Sequence, residues 1–393
     1  MKSKLKPVIE VVAKFAYELI SLAAMASGRL LASNSGQGSC LLVRTDAIGD
    51  FTIWAQSAPA LVEHFKQKKQ IILIVQECNA ELARDLNLFD QIWPINIRRF
   101  TRNPLYRYLF LVNIRSKGFH TAIDLIFSRL KLIDATLIRA TQAPVKIGLR
   151  GDKANMTERD YLRSNRWYTE LIDLSKDNTH ELTRNLELSQ ILSSKKSELS
   201  SPFAKLPTQL PEEIEAPYIV IFPGAKQAYR CWPANRYSKV IDNLYEQHGI
   251  NSVICGAPSD SGLAQKIQND CHFNSVIDLT GKTSLTQLFS IISSAAFVVS
   301  NETSAAHIAA ATSTVCFCIT GGGHFGRFVP YPSTGLPSYI SPPQVINQNM
   351  ACYGCNWICK YKIERNHPYP CIEKISTEMV VETIEKHYNF DRR

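Results

Sequence analysis

Asp46 and Asp50 stand four residues apart in Leu-Leu-Val-Arg-Thr-Asp-Ala-Ile-Gly-Asp, residues 41–50. The apolar run before them reads as a strand. Gly49 suits a tight turn, and a helix is expected to start at Asp50 or just after it. An acidic residue at a helix start can be a cap. It can equally be a general base, because the positive end of the helix dipole keeps it ionised. Both readings of Asp50 stand here; Asp46 is expected to orient the loop or a substrate. A second stretch, Phe-Pro-Gly-Ala-Lys-Gln-Ala-Tyr-Arg-Cys-Trp-Pro at 222–233, carries Gly224, Lys226 and Arg230. Both cations suit phosphate oxygens, Arg bidentately; the alternative is a basic surface loop. Gly-Lys-Ser/Thr is missing, so this is not a Walker loop.

A third stretch, Ser-Asn-Glu-Thr-Ser-Ala-Ala-His, spans 300–307. Asn301 is expected to cap the helix that follows. Beside Glu302, the small residues Thr303, Ser304 and Ala305 leave free N–H groups suited to a diphosphate. His307 reads as a core histidine as readily as a ligand. The glycine-rich loop 320–326 adds a surface for close approach. The chain contains no Asp-x-Asp. The charge of a diphosphate would then be met by helix N-termini, Lys and Arg.

Two further clusters stand apart. Residues 91–123 hold no Asp or Glu, but carry Arg98, Arg99, Arg102, Arg107, Arg115 and Lys117 among aromatics. Such a stretch suits an anionic acceptor, a membrane surface or single-stranded nucleic acid, and is otherwise a solvated basic face. Cys352, Cys355, Cys359 and Cys371 have the proximity of a structural zinc site; disulfides or free thiols are the alternative. The other seven cysteines are expected to be free thiols in a reducing cytoplasm, since no secretory signal is evident.

The elements that must position these residues alternate. Strands are expected at 40–45, 71–75, 91–95 and 121–126, with helices at 51–66 and 81–86 between them. The pattern restarts at Tyr218. Strands follow at 218–222, 251–255, 276–278, 297–300 and 315–319, with helices at 234–248, 263–270, 284–294 and 305–311. This predicts two doubly wound parallel sheets with a ligand cleft at the strand ends. The domains are placed at 37–200 and 217–375, joined by a linker at 201–216. A helix and loop (1–36) precede them, with Val8, Val12, Phe15, Leu19 and Leu22 at helical spacing. A helical tail (376–393) follows. That first helix is either an interfacial membrane anchor or a helix packed on its domain. Hydrophobic residues at 45%, charged residues at 20% and no long apolar run exclude disorder, fibrous repeats and a polytopic membrane protein. The net charge of +9 favours anionic partners.

Taken in order, these stretches resemble glycosyltransferase family 9, the heptosyltransferase-like group. The matching pieces are Arg-Thr-Asp-Ala-Ile-Gly-Asp (44–50), Pro-Val-Lys-Ile-Gly (144–148), Phe-Pro-Gly-Ala (222–225), Arg-Cys-Trp-Pro (230–233), Leu-Thr-Gly-Lys-Thr-Ser-Leu (279–285) and Ser-Asn-Glu-Thr-Ser-Ala-Ala-His-Ile-Ala (300–309). The resemblance implies a two-domain GT-B fold. It implies inverting, metal-independent transfer of a sugar from a nucleotide diphosphate donor to a lipopolysaccharide core or related glycan. It makes Asp50 the base, and Gly224, Lys226, Arg230, Glu302–Ala305 and His307 the donor site. Asp46, Arg98, Arg99 and Arg102 fall to the acceptor side. No cofactor is required, and no nucleic-acid partner is expected. The expected location is cytoplasmic, with peripheral contact at the inner membrane face. Arg230 stands where heptosyltransferases carry Lys, and Glu302 and Ser304 where they carry Asp and Gly, so ADP-heptose is one candidate donor. A nucleotide-sugar epimerase or hydrolase, or a non-catalytic glycan or nucleic-acid binding module, is the alternative.

Overall fold

A computed structural model describes residues 2–31, 38–67, 69–364 and 367–392, with side chains from Phe15 onward. Residues 33–37 of the loop expected at 33–38, and the side chains of Val8 and Val12, lie outside the described residues.

Among the described residues the strands form two six-stranded parallel sheets. The first contains β1 (Ser39–Arg44), β2 (Gln70–Gln76), β3 (Gln91–Ile95), β4 (Thr121–Asp124), β5 (Val145–Leu149) and β6 (Glu170–Ile172), in the order β3-β2-β1-β4-β5-β6. The second contains β7 (Tyr218–Phe222), β8 (Asn251–Ile254), β9 (Val276–Asp278), β10 (Val298–Asn301), β11 (Cys316–Ile319) and β12 (Gln344–Ile346), in the order β12-β11-β10-β7-β8-β9. β1 and β7 are buried along their whole length, as helices on both faces of a parallel sheet require. Each order reverses once, between β1 and β4 and between β7 and β10. At such a reversal the loops at the carboxyl ends part and leave room for a ligand.

The chain divides into two compact units: residues 1–47, 58–176 and 187–197 in the first, and 48–57, 177–186 and 198–393 in the second. This division is not contiguous, unlike the boundaries expected from sequence. Residues 201–216 belong to the second unit and are packed onto it. Phe203 lies 4.8 Å from Phe289 between ring centroids, and Ser290 donates to the Pro207 carbonyl. The helix expected at 51–66 is two helices, Ile48–Ala55 and Ala58–Lys66. They part where the Ser57 N–H and hydroxyl both donate back to Trp54 O, at 2.9 Å each, just before Pro59.

The core of the second unit gathers Trp232, Tyr237, Phe297 and Phe317. In the first unit, the N-terminal helix Lys2–Leu30 packs on the helix Pro104–Lys117, formed by the basic stretch. Arg107 Nε donates to Ser21 Oγ at 3.1 Å. Gly28 sits so close that a Cβ there would fall 2.6 Å from Arg115 Cβ. Glu18 pairs with Lys131 at 2.5 Å and Arg163 at 3.1 Å. The described part of this segment therefore packs on its own domain.

Candidate functional site

The β7/β10 reversal brings two of the singled-out stretches together. Asn301 ends β10 fully buried and does not cap the next helix, contrary to expectation. Its Nδ2 donates to Pro223 O at 2.6 Å, and its Oδ1 accepts from Trp232 N at 3.0 Å. One side chain thus ties the loop after β7 to the end of β10. The helix Ser304–Ala311 starts after Thr303, whose extended backbone occupies the cap position without a side-chain cap bond. Its first N–H groups are left open by that geometry.

Arg230 reaches into this place. Its Nη2 donates to Glu302 O at 3.0 Å and lies 3.9 Å from Glu302 Oε1. The Glu302 carboxyl is 6% exposed, and burial lifts it to about 7 against the pull of Arg230. Glu302 Oε2, Thr303 Oγ1 and Arg230 Nε are buried without a hydrogen-bond partner. Such atoms are costly when left unpaired, and three in one place make a ready set for a polar ligand. Lys226 is exposed on the same loop. Gly224 is a glycine for a different reason than ligand approach: a Cβ there would meet Asp260 Oδ2 at 2.3 Å. Asp260 itself accepts from Ala257 N at 2.9 Å.

The cysteine segment supplies a wall beside Arg230. The Arg230 guanidinium lies over the Trp357 ring, 4.5 Å from its centroid. Tyr229 stacks on Tyr369 with centroids 4.2 Å apart. Trp357 takes φ +61°, an unusual angle for a bulky residue. It is wedged over the glycine-rich loop: a Cβ at Gly323 would fall 2.2 Å from its ring, and one at Gly322 2.2 Å from the Tyr353 ring. These glycines admit the chain's own aromatics, which corrects the expectation of a surface for ligand approach. Cys352, Cys355, Cys359 and Cys371 are free thiols, and among the described residues no group of three or more His, Cys, Asp or Glu is arranged to hold a metal ion. The other seven cysteines are free too. Cys40, Cys255, Cys316 and Cys318 are buried, while Cys78 is exposed.

The helix Ile48–Ala55 belongs to this second unit and carries Asp50 in its first turn. Phe51, Ile53 and Trp54 anchor it by full burial. Gly49 lies close against the Ser304–Ala311 helix. A Cβ there would sit 2.9 Å from His307 Cδ2 and 3.4 Å from Ser304 Cα. Two helix starts therefore converge, and Asp50 follows directly at the meeting point. Their dipoles add there in favour of negative charge. His307 is a core residue: 4% exposed, Nδ1 3.1 Å from Tyr331 Oη, and held neutral by burial, with its pKa lowered to about 3. Beneath it, His180 faces Phe328 O at 2.7 Å. Glu181 accepts from Arg327 Nε at 2.8 Å.

The β1/β4 reversal of the first unit holds residues that the sequence reading missed. Arg44, 2% exposed, donates to Leu125 O at 2.6 Å and pairs with Asp46 at 3.0 Å. Asp46 O accepts from Asn79 at 3.3 Å. Asp124 ends β4 and accepts from Tyr168 Oη at 2.6 Å and Ile126 N at 3.2 Å. Asp134, in a π-helical turn (Lys131–Ala135), accepts from Leu130 N at 2.7 Å and from the Thr45 hydroxyl. Burial raises Asp124 to about 6. Burial, then the neighbouring Asp124 charge, raises Asp134 to about 7. Arg129 lies over the Tyr168 ring at 4.7 Å and donates to Asn165 Oδ1 at 2.6 Å. An acidic residue closing an apolar strand, as in Thr-Ala-Ile-Asp (121–124), was the signal available. Arg98, Arg99 and Arg102 are exposed on the helix Ile97–Arg102, which Asn96 caps at 2.9 Å. Arg107, from the same basic stretch, is buried under Phe100, so the stretch is not one uniform solvated face.

The sequence model of glycosyltransferase family 9 (heptosyltransferase) matches residues 111–332. Lipopolysaccharide heptosyltransferase 3 of Escherichia coli K12 is 35% identical over 106 residues, 26% of this chain and 30% of that relative. The chain thus aligns with less than a third of that relative's length. Two solved E. coli structures share the fold. One is an ADP-heptose lipopolysaccharide heptosyltransferase II (TM-score 0.62, 17% identity, 88% of this chain and 98% of that one). The other is a heptosyltransferase with ADP-2-deoxy-2-fluoro heptose (TM-score 0.63, 20% identity, 88% and 99%). The two Rossmann-like units are those of the GT-B fold.

Proposed function

The chain belongs to glycosyltransferase family 9, matched over more than half its length, and from that premise we propose that it moves a sugar, with inversion and without a metal ion, from a nucleoside diphosphate donor to a lipopolysaccharide core or related surface glycan. An ADP-linked heptose is the first donor to try, since a protein of the same fold was solved with an analogue of it. The proposed acceptor is lipid-linked, and the proposed working place is the inner face of the membrane.

The observation that carries the reading is the set of unpartnered atoms at the β7/β10 reversal: Glu302 Oε2, Thr303 Oγ1 and Arg230 Nε beside an open helix start. In the proposed mechanism Asp50 takes the proton from the acceptor hydroxyl as its oxygen attacks the anomeric carbon. The bond to the diphosphate breaks on the opposite face, so one displacement inverts the centre. Negative charge grows on the leaving oxygen. Arg230, Lys226 and the N–H groups of Ser304 and Ala305 meet it, and their placement before the reaction is what makes them effective. Asp46, held by Arg44, and the exposed Arg98, Arg99 and Arg102 are proposed to orient an anionic acceptor.

Thermal melting with a panel of nucleoside diphosphates tests the donor site. One diphosphate should raise the melting temperature of the wild type by mass action and fail to do so for Arg230→Ala. No shift with any of them would remove the donor-site assignment.

A further inference from the structure

The N-terminal helix is apolar on its outward face as well as on its inward one, where Ala24 and Met25 join the core. A helix on a water-facing surface turns its charged side chains outward and its apolar ones inward. Between Phe15 and Gly28 the single charged residue is Glu18, and it points to Lys131 and Arg163. Ser21 is buried against Arg107. The outward positions are Phe15, Ala16, Leu19, Leu22, Ala23 and Ala26, all apolar and all exposed. Phe15, Leu19 and Leu22 are 63%, 51% and 45% exposed, at the i, i+4, i+7 spacing of one stripe. Leu30 and Leu31 continue the exposure at its end, and the helix it packs on adds exposed Leu105 and Leu109. Single surface leucines need no explanation, but a stripe of this length without a charge does.

The charges nearby choose the occupant. Arg98, Arg99 and Arg102 are exposed in a run of 33 residues (91–123) that has no acidic member. Burial first, and then the charge of Arg29 on the N-terminal helix, lowers the Arg115 pKa on the neighbouring helix, so two like charges are held near one another. A second copy meeting this face about a two-fold axis would set the patch against itself and bring such charges together. Anionic headgroups would relieve them instead. Among the described residues no helix is long and apolar enough to cross a membrane. A helix with this face lies in the plane of the interface.

We propose that the outward face of the N-terminal helix, with the exposed leucines and arginines of residues 98–109, is a docking surface for an anionic lipid bilayer. The surface extends the membrane-face part of the reading above. Its test reads lipid binding alone, so either proposal can fail without the other.

The full chain is floated with phosphatidylcholine vesicles and with phosphatidylcholine/phosphatidylglycerol vesicles. The wild type should float with the anionic vesicles and stay behind with the neutral ones. Leu19→Ser/Leu22→Ser should bind about tenfold less, with an unchanged melting temperature because both side chains already face out. Arg98→Glu/Arg102→Glu should lose the preference for anionic vesicles. The proposal is overturned if the wild type ignores anionic vesicles, floats equally with neutral ones, or is matched by the double leucine variant. A dimer in sedimentation that the leucine variant dissolves would also overturn it, assigning the face to a second copy.

Discussion

The two sheet reversals share one topology and differ in how their carboxylates are satisfied. At β1/β4, Asp124 and Asp134 each accept two hydrogen bonds from the protein, and Asp46 is paired with Arg44. At β7/β10, Glu302 has one oxygen without a partner, and Arg230 lies 3.9 Å from the other. The first set is a brace that shapes the loop leading to Asp50. The second is the polar set proposed above to take the donor diphosphate. One doubly wound frame therefore supports both uses, and the side chains at the strand ends decide which.

The largest expected effect is that of Asp50→Asn. Removing a general base should lower kcat about a thousandfold while the nucleotide-induced melting shift stays. Loss of both together would mean that Asp50 belongs to the donor-binding set and that the contrast is drawn in the wrong place. Gly49→Ala comes next. Its Cβ would press on His307 at 2.9 Å, so it should cost about 1–3 kcal/mol in denaturant unfolding. An unaffected midpoint would show that the two helix starts are not in firm contact.

Asp134→Asn sharpens the brace half. Asp134 is raised to about 7 in the fold from an ordinary 3.8. Between those values the folded protein binds the extra proton, so wild-type stability from this group falls as pH rises and the penalty is complete above about 7. The variant should gain on the wild type over that range, by about 1 kcal/mol or more, with no change in nucleotide binding. A constant difference at all pH values would show that folding leaves the Asp134 carboxyl at its ordinary pKa. The smallest effect concerns Glu302, raised to about 7 by burial. A diphosphate beside it favours its protonated form, so nucleoside diphosphate affinity should weaken by a few-fold as pH rises through about 7. In Glu302→Gln that fall should disappear; if it persists, another group near the phosphates is titrating.

Much of this contrast is legible in the amino-acid sequence alone. Uninterrupted apolar runs mark β1, β2 and β7, because strands covered on both faces leave no polar alternation. Arg230 and Thr303 can be picked out because both follow such runs. β5, with Lys146 inside it, and the three-residue β6 and β12 lack that signal; neighbouring strands specify them. Arg107 reads as one more surface cation, yet Leu111 and Ile114 follow at core spacing and pull it inward with them. The three glycines 321–323 suggest room for a ligand. Glycine only records that something approaches closely, and here that something is Trp357 and Tyr353, about 30 residues later in the chain.

The non-contiguous division has a practical consequence for dissection. The polypeptide leaves the first unit after Ala47, returns at Ala58, leaves again at Asp177, returns at Glu187 and leaves finally at Glu198. No single scission gives two intact halves. A fragment ending at 197 would carry the apolar Phe51, Ile53 and Trp54 with nothing to cover them. A fragment beginning at 198 would lack the helix that covers His307. Complementation by two separately expressed pieces, or circular permutation, must therefore keep residues 48–57 with the later sequence to yield a folded product.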